Sequence, residues 1–135
     1  MPANEILEDP MISKAVWKYI RISPRKLRLV ADVIRGKTVT EAMAMLPLIN
    51  KRGAKYLLKA LKSAVANAVN SEEFSVKEDE LYISRLMINE SFRLRRWRPI
   101  SHGRAVPYHH RFSHIYIELD HIDNMPKPKK SKKRK

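Results

Sequence analysis

The sequence predicts an α+β two-layer domain, in which about three helices pack on a small, mainly antiparallel three-stranded sheet and a long β-hairpin protrudes. The order of the patterned segments supports this, because one strand-like segment precedes three segments of helical periodicity and two further strands, β-α-α-α-β-β. A length of 135 residues suits one domain with its own core. An arginine-rich segment separates the last two strands, so it must leave the sheet and return.

The first strand is predicted over residues 15–22. Apolar and other side chains alternate loosely along this segment, as is typical of a strand with one buried face. The side expected to be buried carries Val16, Ile20 and Ile22, and the opposite side carries Trp17, Tyr19 and Arg21.

The first helix is predicted between Ser23 and Gly36. Ser23 is a typical N-cap, Pro24 suits the first helical position, and glycine is a typical helix end. The apolar residues at helical spacing, which predict the buried face, are Leu27, Val30, Ala31 and Ile34.

Two more helices are predicted before residue 70. Thr38 followed by Glu41 is a capping-box pattern that opens a short helix, and Pro47 ends it. Asn50 is a candidate cap for a longer helix that extends to about Ala68. Its apolar stripe is Ala54, Leu57, Leu58, Leu61, Val65 and Ala68, and its basic stripe is Lys51, Lys55, Lys59 and Lys62.

The last two strands are predicted over residues 81–89 and 114–119. Gly103 between them is typical of a turn that needs a positive φ. Pro99 and Pro107 flank this turn, and since proline has no N–H to donate, regular strand pairing is expected to fail between them.

We therefore expect a single domain over residues 13–124, which includes the hairpin arm at residues 87–118. Residues 1–12 form an N-terminal extension, and residues 125–135 form a lysine-rich tail that is expected to be disordered when free. Residues 71–80 are polar and acidic and are expected to form a loop.

Positive charge is concentrated in the last third of the chain. The sequence has 28 lysines and arginines against 14 acidic residues, a formal net charge of +14. Residues 91–117 contain six arginines and no acidic residue. Such a segment repels itself unless a polyanion lies alongside it, so the charge pattern predicts a polyanionic partner.

Aromatic residues lie among these arginines, namely Phe92, Trp97, Tyr108 and Phe112. A guanidinium donates two parallel hydrogen bonds to phosphate, and aromatic rings stack on unpaired bases. Together they predict binding to nucleic acid, and to structured RNA more than to DNA. The alternative is a solvated basic surface with the aromatic rings in the core, but Trp97 lies too far along the arm to reach a core easily.

Several classes of protein are disfavoured. The absence of cysteine excludes a disulfide scaffold, a cysteine nucleophile and a thiolate zinc site. The longest uncharged stretches have nine residues, whereas a membrane span needs about 18. The first ten residues include Glu5, Glu8 and Asp9, whereas a signal peptide begins with a basic region followed by an apolar one. We expect a soluble intracellular protein that does not contact a membrane.

Three alternative functions are weaker. A zinc or enzymatic site would use the histidines, but His109 and His110 point to opposite faces of a strand and no acidic residue lies near. Histidines that substitute for basic RNA contacts are the favoured interpretation. A helix-turn-helix would read DNA with residues 39–46, which lack Arg, Asn and Gln. A membrane-surface helix over residues 50–68 would need more bulky aromatics than Tyr56. We expect no catalytic residue, metal, cofactor or homo-oligomer.

Several motifs resemble the universal large-subunit ribosomal protein L twenty-two family, in its bacterial or organellar form. The resemblance covers residues 15–119 without an obvious gap. The matching motifs are Ile22-Ser23-Pro24-Arg25-Lys26, Arg28-Leu29-Val30, Asp32-Val33-Ile34-Arg35-Gly36-Lys37, Lys62-Ser63-Ala64-Val65-Ala66-Asn67-Ala68, Arg98-Pro99, Gly103-Arg104-Ala105 and Arg111-Phe112-Ser113-His114-Ile115.

The resemblance implies a structural constituent of the large ribosomal subunit, located in cytoplasmic or organellar ribosomes. It implies that the body binds large-subunit (23S-type) rRNA early in assembly and that the hairpin threads inward through rRNA. The hairpin tip would then line the nascent-peptide exit tunnel, opposite an extension of protein L four and beside the nascent polypeptide. It implies no catalytic role.

The candidate rRNA-binding residues follow from the motifs, from the basic stripe of the third helix and from the arm. They are Ser23, Arg25, Lys26, Arg28, Arg35, Lys37, Lys51, Arg52, Lys55, Arg93, Arg95, Arg96, Trp97, Arg98, Arg104, Arg111, Ser113 and His114. The candidate tunnel tip is Arg98, Pro99, Ile100, Ser101, His102, Gly103, Arg104 and Ala105. Relative to the family pattern, Ile100 and His102 replace basic residues and Phe112 replaces a common threonine, so this hairpin is less charged.

Overall fold

The computed structural model describes residues 12–71 and 76–126, and it confirms the predicted α+β fold with three helices and a three-stranded antiparallel sheet. The expected extension at residues 1–12 and tail at residues 125–135 lie almost entirely outside these described residues. The main elements are β1 (Ser13–Ile20), α1 (Pro24–Ile34), α2 (Val39–Met45), α3 (Arg52–Val69), β2 (Leu81–Pro99) and β3 (Ala105–His121).

The sheet has the strand order β1-β3-β2, so the last strand of the chain lies between the other two. On the helix-facing side of β3, Ile115, Ile117 and Leu119 are fully buried. They form one core with the apolar faces of the three helices. The helices therefore cover one face of the sheet, and the opposite face stays open at the end where the hairpin emerges.

Helix α1 begins and ends where the sequence predicts. Ser23 is the N-cap in an extended conformation, with Pro24 in the first turn, and Gly36 follows the helix with φ +77°. Glycine adopts this left-handed conformation without a steric cost. The predicted apolar stripe of α1 is buried, which confirms the assignment: Leu27, Val30, Ala31 and Ile34.

The second and third helices are also confirmed, with one shifted boundary. The Thr38 hydroxyl accepts a hydrogen bond from the Glu41 N–H at 3.3 Å, as a capping box requires. Helix α3 has Lys51 as its N-cap, so the prediction of Asn50 is wrong by one residue. The backbone of Lys51 is extended, as is typical of an N-cap, and its N–H donates to the Ile49 carbonyl at 2.9 Å.

Strand β1 differs from its prediction. It spans Ser13–Ile20 rather than residues 15–22, and Val16, which the alternation placed on the buried side, is 47% exposed. The register with β3 shifts between Trp17 and Ile20, and Tyr19 has φ +60°. This bulge adds one residue to β1, because Ile20 lies three positions after Trp17 whereas their partners on β3 lie only two positions apart. The added residue places Ile20 on the core face and breaks the simple alternation.

The two hairpin strands are much longer than predicted. Pairing continues to Pro99 opposite Ala105, so the prediction that it fails between the prolines is wrong. The Ile100 N–H donates to the Arg104 carbonyl at 2.8 Å. Because hydrogen-bonded and non-hydrogen-bonded pairs alternate, Pro99 and Pro107 both fall on non-hydrogen-bonded pairs. Their nitrogen atoms face away from the partner strand, and the ladder loses no bond.

A short turn closes the hairpin at Ser101–Gly103. His102 and Gly103 both have positive φ, at +63° and +70°. The predicted positive φ of Gly103 is confirmed, and a histidine shares the left-handed conformation beside it.

Candidate nucleic-acid interface

The outer part of the hairpin has no hydrophobic core. We call residues 91–112 the distal hairpin and the rest of the described chain the body. None of residues 91–112 is buried, although the body has a continuous core. Counted from Arg93 to Pro99, the distal hairpin extends about 20 Å at ~3.3 Å per residue. A two-stranded ribbon of this kind is marginal in water, so its function requires a surface to lie against.

The register assigns the distal side chains to two faces of the ribbon. Arg93 pairs with Arg111 and Arg95 with His109 on the side that the helices cover in the body, since Ser113 on the same side is buried. Arg96 and Arg98 lie on the opposite side with Tyr108 as a neighbour. Cations therefore line both faces of the ribbon, which suits an element surrounded by phosphate rather than one lying on a flat surface.

Two of these guanidinium groups lie over aromatic rings. The Arg95 guanidinium lies 5.0 Å from the Trp97 ring centroid, and that of Arg98 lies 5.2 Å from the Tyr108 centroid. Trp97 is 58% exposed. Such cation–π contacts keep an exposed arginine extended while leaving its donors available to a ligand.

One acidic side chain lies at the root of the distal hairpin. Oε1 of Glu90 accepts a hydrogen bond from Nε of Arg93 at 2.9 Å, and Nη2 of the same arginine lies 2.7 Å from it in an ion pair. This hydrogen bond and the charge of Arg93 hold the pKa of Glu90 below its usual value. The carboxylate therefore stays ionised and orients Arg93 at the point where the ribbon leaves the body.

Two predicted rRNA-binding arginines of α1 contact the protein itself. Arg28 donates from Nε and Nη2 to the Ile88 carbonyl at 3.3 and 3.0 Å. Arg35 donates in the same way to the Leu86 carbonyl at 3.3 and 3.1 Å, and it also pairs with Asp32. Both arginines thus attach α1 to β2 below the distal hairpin.

Two predicted residues of β3 also have internal partners. Ser113 is fully buried and donates its hydroxyl to the Ile22 carbonyl at 2.6 Å. The Nδ1 atom of His114 accepts a hydrogen bond from the Tyr19 N–H at 3.1 Å. In this structure the Ser113 hydroxyl is not accessible to a ligand, and both residues hold the end of β1 in place.

The body and the distal hairpin meet at a cationic groove of about 690 Å³. The start of α1 supplies Ser23 and Lys26, and the start of α3 supplies Arg52. The remaining lining residues are Arg21, Ile22, His109, His110 and Arg111. The structure therefore brings together predicted residues from three separate motifs, and their charges favour an anion in the groove.

Three lining residues, Arg21, His109 and His110, are not among the predicted rRNA-binding residues. The sequence predicts Arg21 only on one side of a strand, and it favours the arm histidines as substitutes for basic RNA contacts without assigning them a position. The antiparallel pairing of β1 with β3, in which Ile20 lies opposite Ser113, brings Arg21 close to residue 111.

The remaining predicted residues are exposed. Lys51 and Lys55 lie on α3 beside a second groove of about 540 Å³ whose other walls are largely apolar. Arg52 donates to the Tyr56 hydroxyl at 3.1 Å. Residues Arg25, Lys37, Arg104 and the other members of the tip are solvent-exposed or nearly so.

Metal and membrane sites are not found in the part of the chain that the structure describes. No group of three or more potential metal ligands occurs among residues 12–71 and 76–126. Within the same ranges, no helix is both long and apolar enough to cross a membrane.

A comparison with protein families decides the classification. The family model for ribosomal protein L22p/L17e matches residues 15–120. The chain belongs to this family. The assignment confirms the resemblance found in the motifs, and it makes the chain a structural, non-enzymatic ribosomal protein.

Individual relatives agree with the family assignment. The large ribosomal subunit protein uL22 of Mycoplasma capricolum is 50% identical over 107 residues, which cover 79% of this chain and 95% of the relative. That of Thermus thermophilus is 47% identical over 109 residues, covering 81% and 95%. That of Petrotoga mobilis is 47% identical over 116 residues, covering 86% and 76%.

Proposed function

We propose that the chain is assembled into the large ribosomal subunit by binding 23S-type rRNA, with the distal hairpin enclosed by RNA and its tip exposed in the nascent-peptide exit tunnel. The distal hairpin carries this proposal. It has six arginines within residues 91–117, no acidic residue there and no buried side chain over residues 91–112. Such a ribbon is stable only when a polyanion supplies the missing contacts.

The cationic groove extends this surface onto the body. Lys26, Arg52 and Arg111 come from three elements that meet only in the folded protein. An RNA backbone that follows the ribbon toward the body would meet these charges next. Because backbone phosphates account for much of the affinity in such complexes, the groove and the ribbon together provide a continuous binding path.

The tip is proposed to have a different role. Residues 98–105 include one arginine on each side of the turn, while Ile100 at its centre is 46% exposed. The two positive φ values at His102 and Gly103 define a compact turn. A blunt, weakly charged end suits the wall of an open channel, where protein L four and a passing nascent chain would be its neighbours.

The test is the salt dependence of binding to a large-subunit rRNA transcript. Replacing Arg93, Arg95 and Arg96 by alanine is expected to weaken binding and to lower the slope of log affinity against log salt by about 2 to 3, at ~0.7–0.9 per phosphate contact. The matched control replaces three exposed lysines of the body, Lys59, Lys62 and Lys77, and removes the same charge. Equal slopes for the two triple variants would contradict the proposal, since only net charge would then matter.

A further inference from the structure

Rings line one face of the hairpin where it leaves the body. Along β3, every second residue from position 108 to position 116 carries a ring, and these residues are Tyr108, His110, Phe112, His114 and Tyr116. The intervening residues Ser113 and Ile115 are buried under the helices. The rings therefore lie on the sheet face that the helices leave open.

Four rings from three strands meet at one point on this face, and we call them the aromatic cluster. Phe92 of β2 stacks on Phe112 of β3 with centroids 4.6 Å apart and planes inclined by 22°. Tyr19 of β1 lies 5.8 Å from Phe92 and 5.1 Å from His114. The cluster thus spans all three strands at the level of the two strand irregularities.

The aromatic cluster is exposed although it is mostly apolar. Tyr19 is 62% exposed and Phe92 is 49% exposed. Within the described residues, no helix packs on this face of the sheet. Aromatic rings of this size are usually buried or in contact with a partner, so the exposed stack offers ring faces to another molecule.

The backbone at Tyr19, inside the bulge of β1, is strained. Its φ of +60° lies in the left-handed region, which asparagine or glycine adopts much more readily than an aromatic residue. The hydrogen bond from its N–H to Nδ1 of His114 holds this conformation. The result is that the Tyr19 ring stands beside Phe92 instead of pointing away, and strain of this kind concentrates at functional sites.

We propose that the aromatic cluster is a stacking site for an unpaired base of RNA. Arg96 and Arg98 lie on the same face of the ribbon as the rings, further toward the tip and beside Tyr108. An RNA strand with one base on the rings would therefore meet these guanidinium groups as it continues along the ribbon. Stacking on aromatic rings tolerates any base, because every base has a π-face.

An apolar protein segment is the other possible occupant, and the surroundings disfavour it. The acidic residue at this level, Glu90, is already paired with Arg93. The charged side chains further along this face of the distal hairpin are those of Arg96 and Arg98, both positive. A site made of rings and cations, rather than of branched aliphatic side chains, has the composition that single-stranded RNA recognises. The inference rests on the proposed rRNA binding and specifies one contact within it.

The experiment measures affinity for two RNA probes of the same length and charge. One probe is a fluorescent ten-nucleotide oligouridine and the other is the corresponding abasic RNA, each titrated with the full chain. Phe92→Leu and Tyr19→Asn are each expected to weaken binding of the oligouridine about tenfold and to leave the abasic probe unchanged. Phe92→Tyr, which keeps a ring, is expected to restore wild-type affinity.

Thermal unfolding of the same variants serves as the control for folding. Tyr19→Asn is expected to keep or raise the melting temperature, because asparagine accepts the left-handed conformation. A variant that binds the oligouridine weakly while melting as the wild type does would have lost only the stacking ring, which supports the inference.

Three outcomes would overturn the inference. The first is unchanged oligouridine binding by both variants. The second is an equal loss of affinity for both probes, which would indicate that the rings only position the phosphate-binding residues. The third is impaired incorporation into subunits with normal RNA binding, which would indicate a protein partner. If the wild-type chain binds neither probe nor the rRNA transcript, the proposed rRNA binding itself fails, and the two failures are therefore distinguishable.

Discussion

The body and the distal hairpin use the same residue type in opposite ways. In the body, Arg28 and Arg35 donate their hydrogen bonds inward to carbonyls of β2. In the distal hairpin, Arg95 and Arg98 lie over the rings of Trp97 and Tyr108 instead. Charge alone therefore does not identify an RNA contact. Arg28 and Arg35 are themselves exposed, so their internal hydrogen bonds give them a role in the fold without removing them from contact with a ligand.

The largest expected difference between the two regions concerns packing. Ile117 is fully buried on the central strand, so Ile117→Ala is expected to lower the free energy of unfolding by about 2–5 kcal/mol. Leu94→Ala in the distal hairpin is expected to change it by less than about 0.5 kcal/mol, because that side chain is only partly covered. Urea denaturation of both variants measures the difference. Similar losses would mean that the distal hairpin folds as part of the core.

A smaller effect is expected at the arginines of α1. Arg28→Ala removes the two hydrogen bonds to Ile88 and is expected to cost about 1 kcal/mol of stability. The exposed Arg25 on the same helix provides the matched variant, and Arg25→Ala is expected to leave stability within about 0.5 kcal/mol. Denaturant melts and rRNA affinity are measured together. If Arg28→Ala loses affinity but no stability, the residue belongs with the RNA contacts rather than with the fold.

The tip should affect assembly less than the sides of the ribbon. Deletion of residues 100–102 is expected to leave incorporation into large subunits nearly intact, since five of the six arginines in residues 91–117 lie outside residues 99–107. The same deletion is expected to change nascent-chain arrest, which ribosome profiling on an arrest peptide measures. If this deletion blocks incorporation while the variant with alanine at Arg93, Arg95 and Arg96 is incorporated normally, the tip rather than the ribbon provides the binding, which contradicts the proposal.

The smallest effect concerns alkaline pH and belongs to the body. The hydrogen bond that the Tyr116 hydroxyl donates to Glu118 raises the pKa of this tyrosine, and partial burial adds to the shift. Because the folded pKa is raised, the resulting stability is fully present below the unfolded value of about 10 and is lost as pH rises through the folded pKa. Tyr116→Phe is expected to flatten the fall in melting temperature above pH 10. An unchanged slope would show that other groups control alkaline unfolding.

The sequence was sufficient for the parts of the fold that follow from local periodicity. The stripe of α1 from Leu27 to Ile34, its start at Ser23 and its end at Gly36 were all predicted, because helix geometry fixes these spacings. Val16 was placed on the wrong side, since the bulge that restores Ile20 to the core depends on pairing with a strand almost a hundred residues away. Local alternation cannot contain that contact.

The candidate site was predictable as a list of charges but not as a geometry. The motifs supplied Lys26, Arg52 and Arg111, yet only the fold places them in one groove. Ser113 matched a family motif although its hydroxyl is buried against Ile22. A motif records which residue is present, whereas its role depends on the side chain's partners in three dimensions.

The outward-facing nitrogens of Pro99 and Pro107 also bear on the protein before it reaches its partner. Each strand of the distal hairpin has an unpaired edge, and such an edge is a template onto which a strand from another molecule can add. At both prolines the edge has no N–H to offer. Both edges of the distal hairpin thus have fewer hydrogen-bond donors for an added strand, which lowers the tendency of this element to pair with a second copy of the chain.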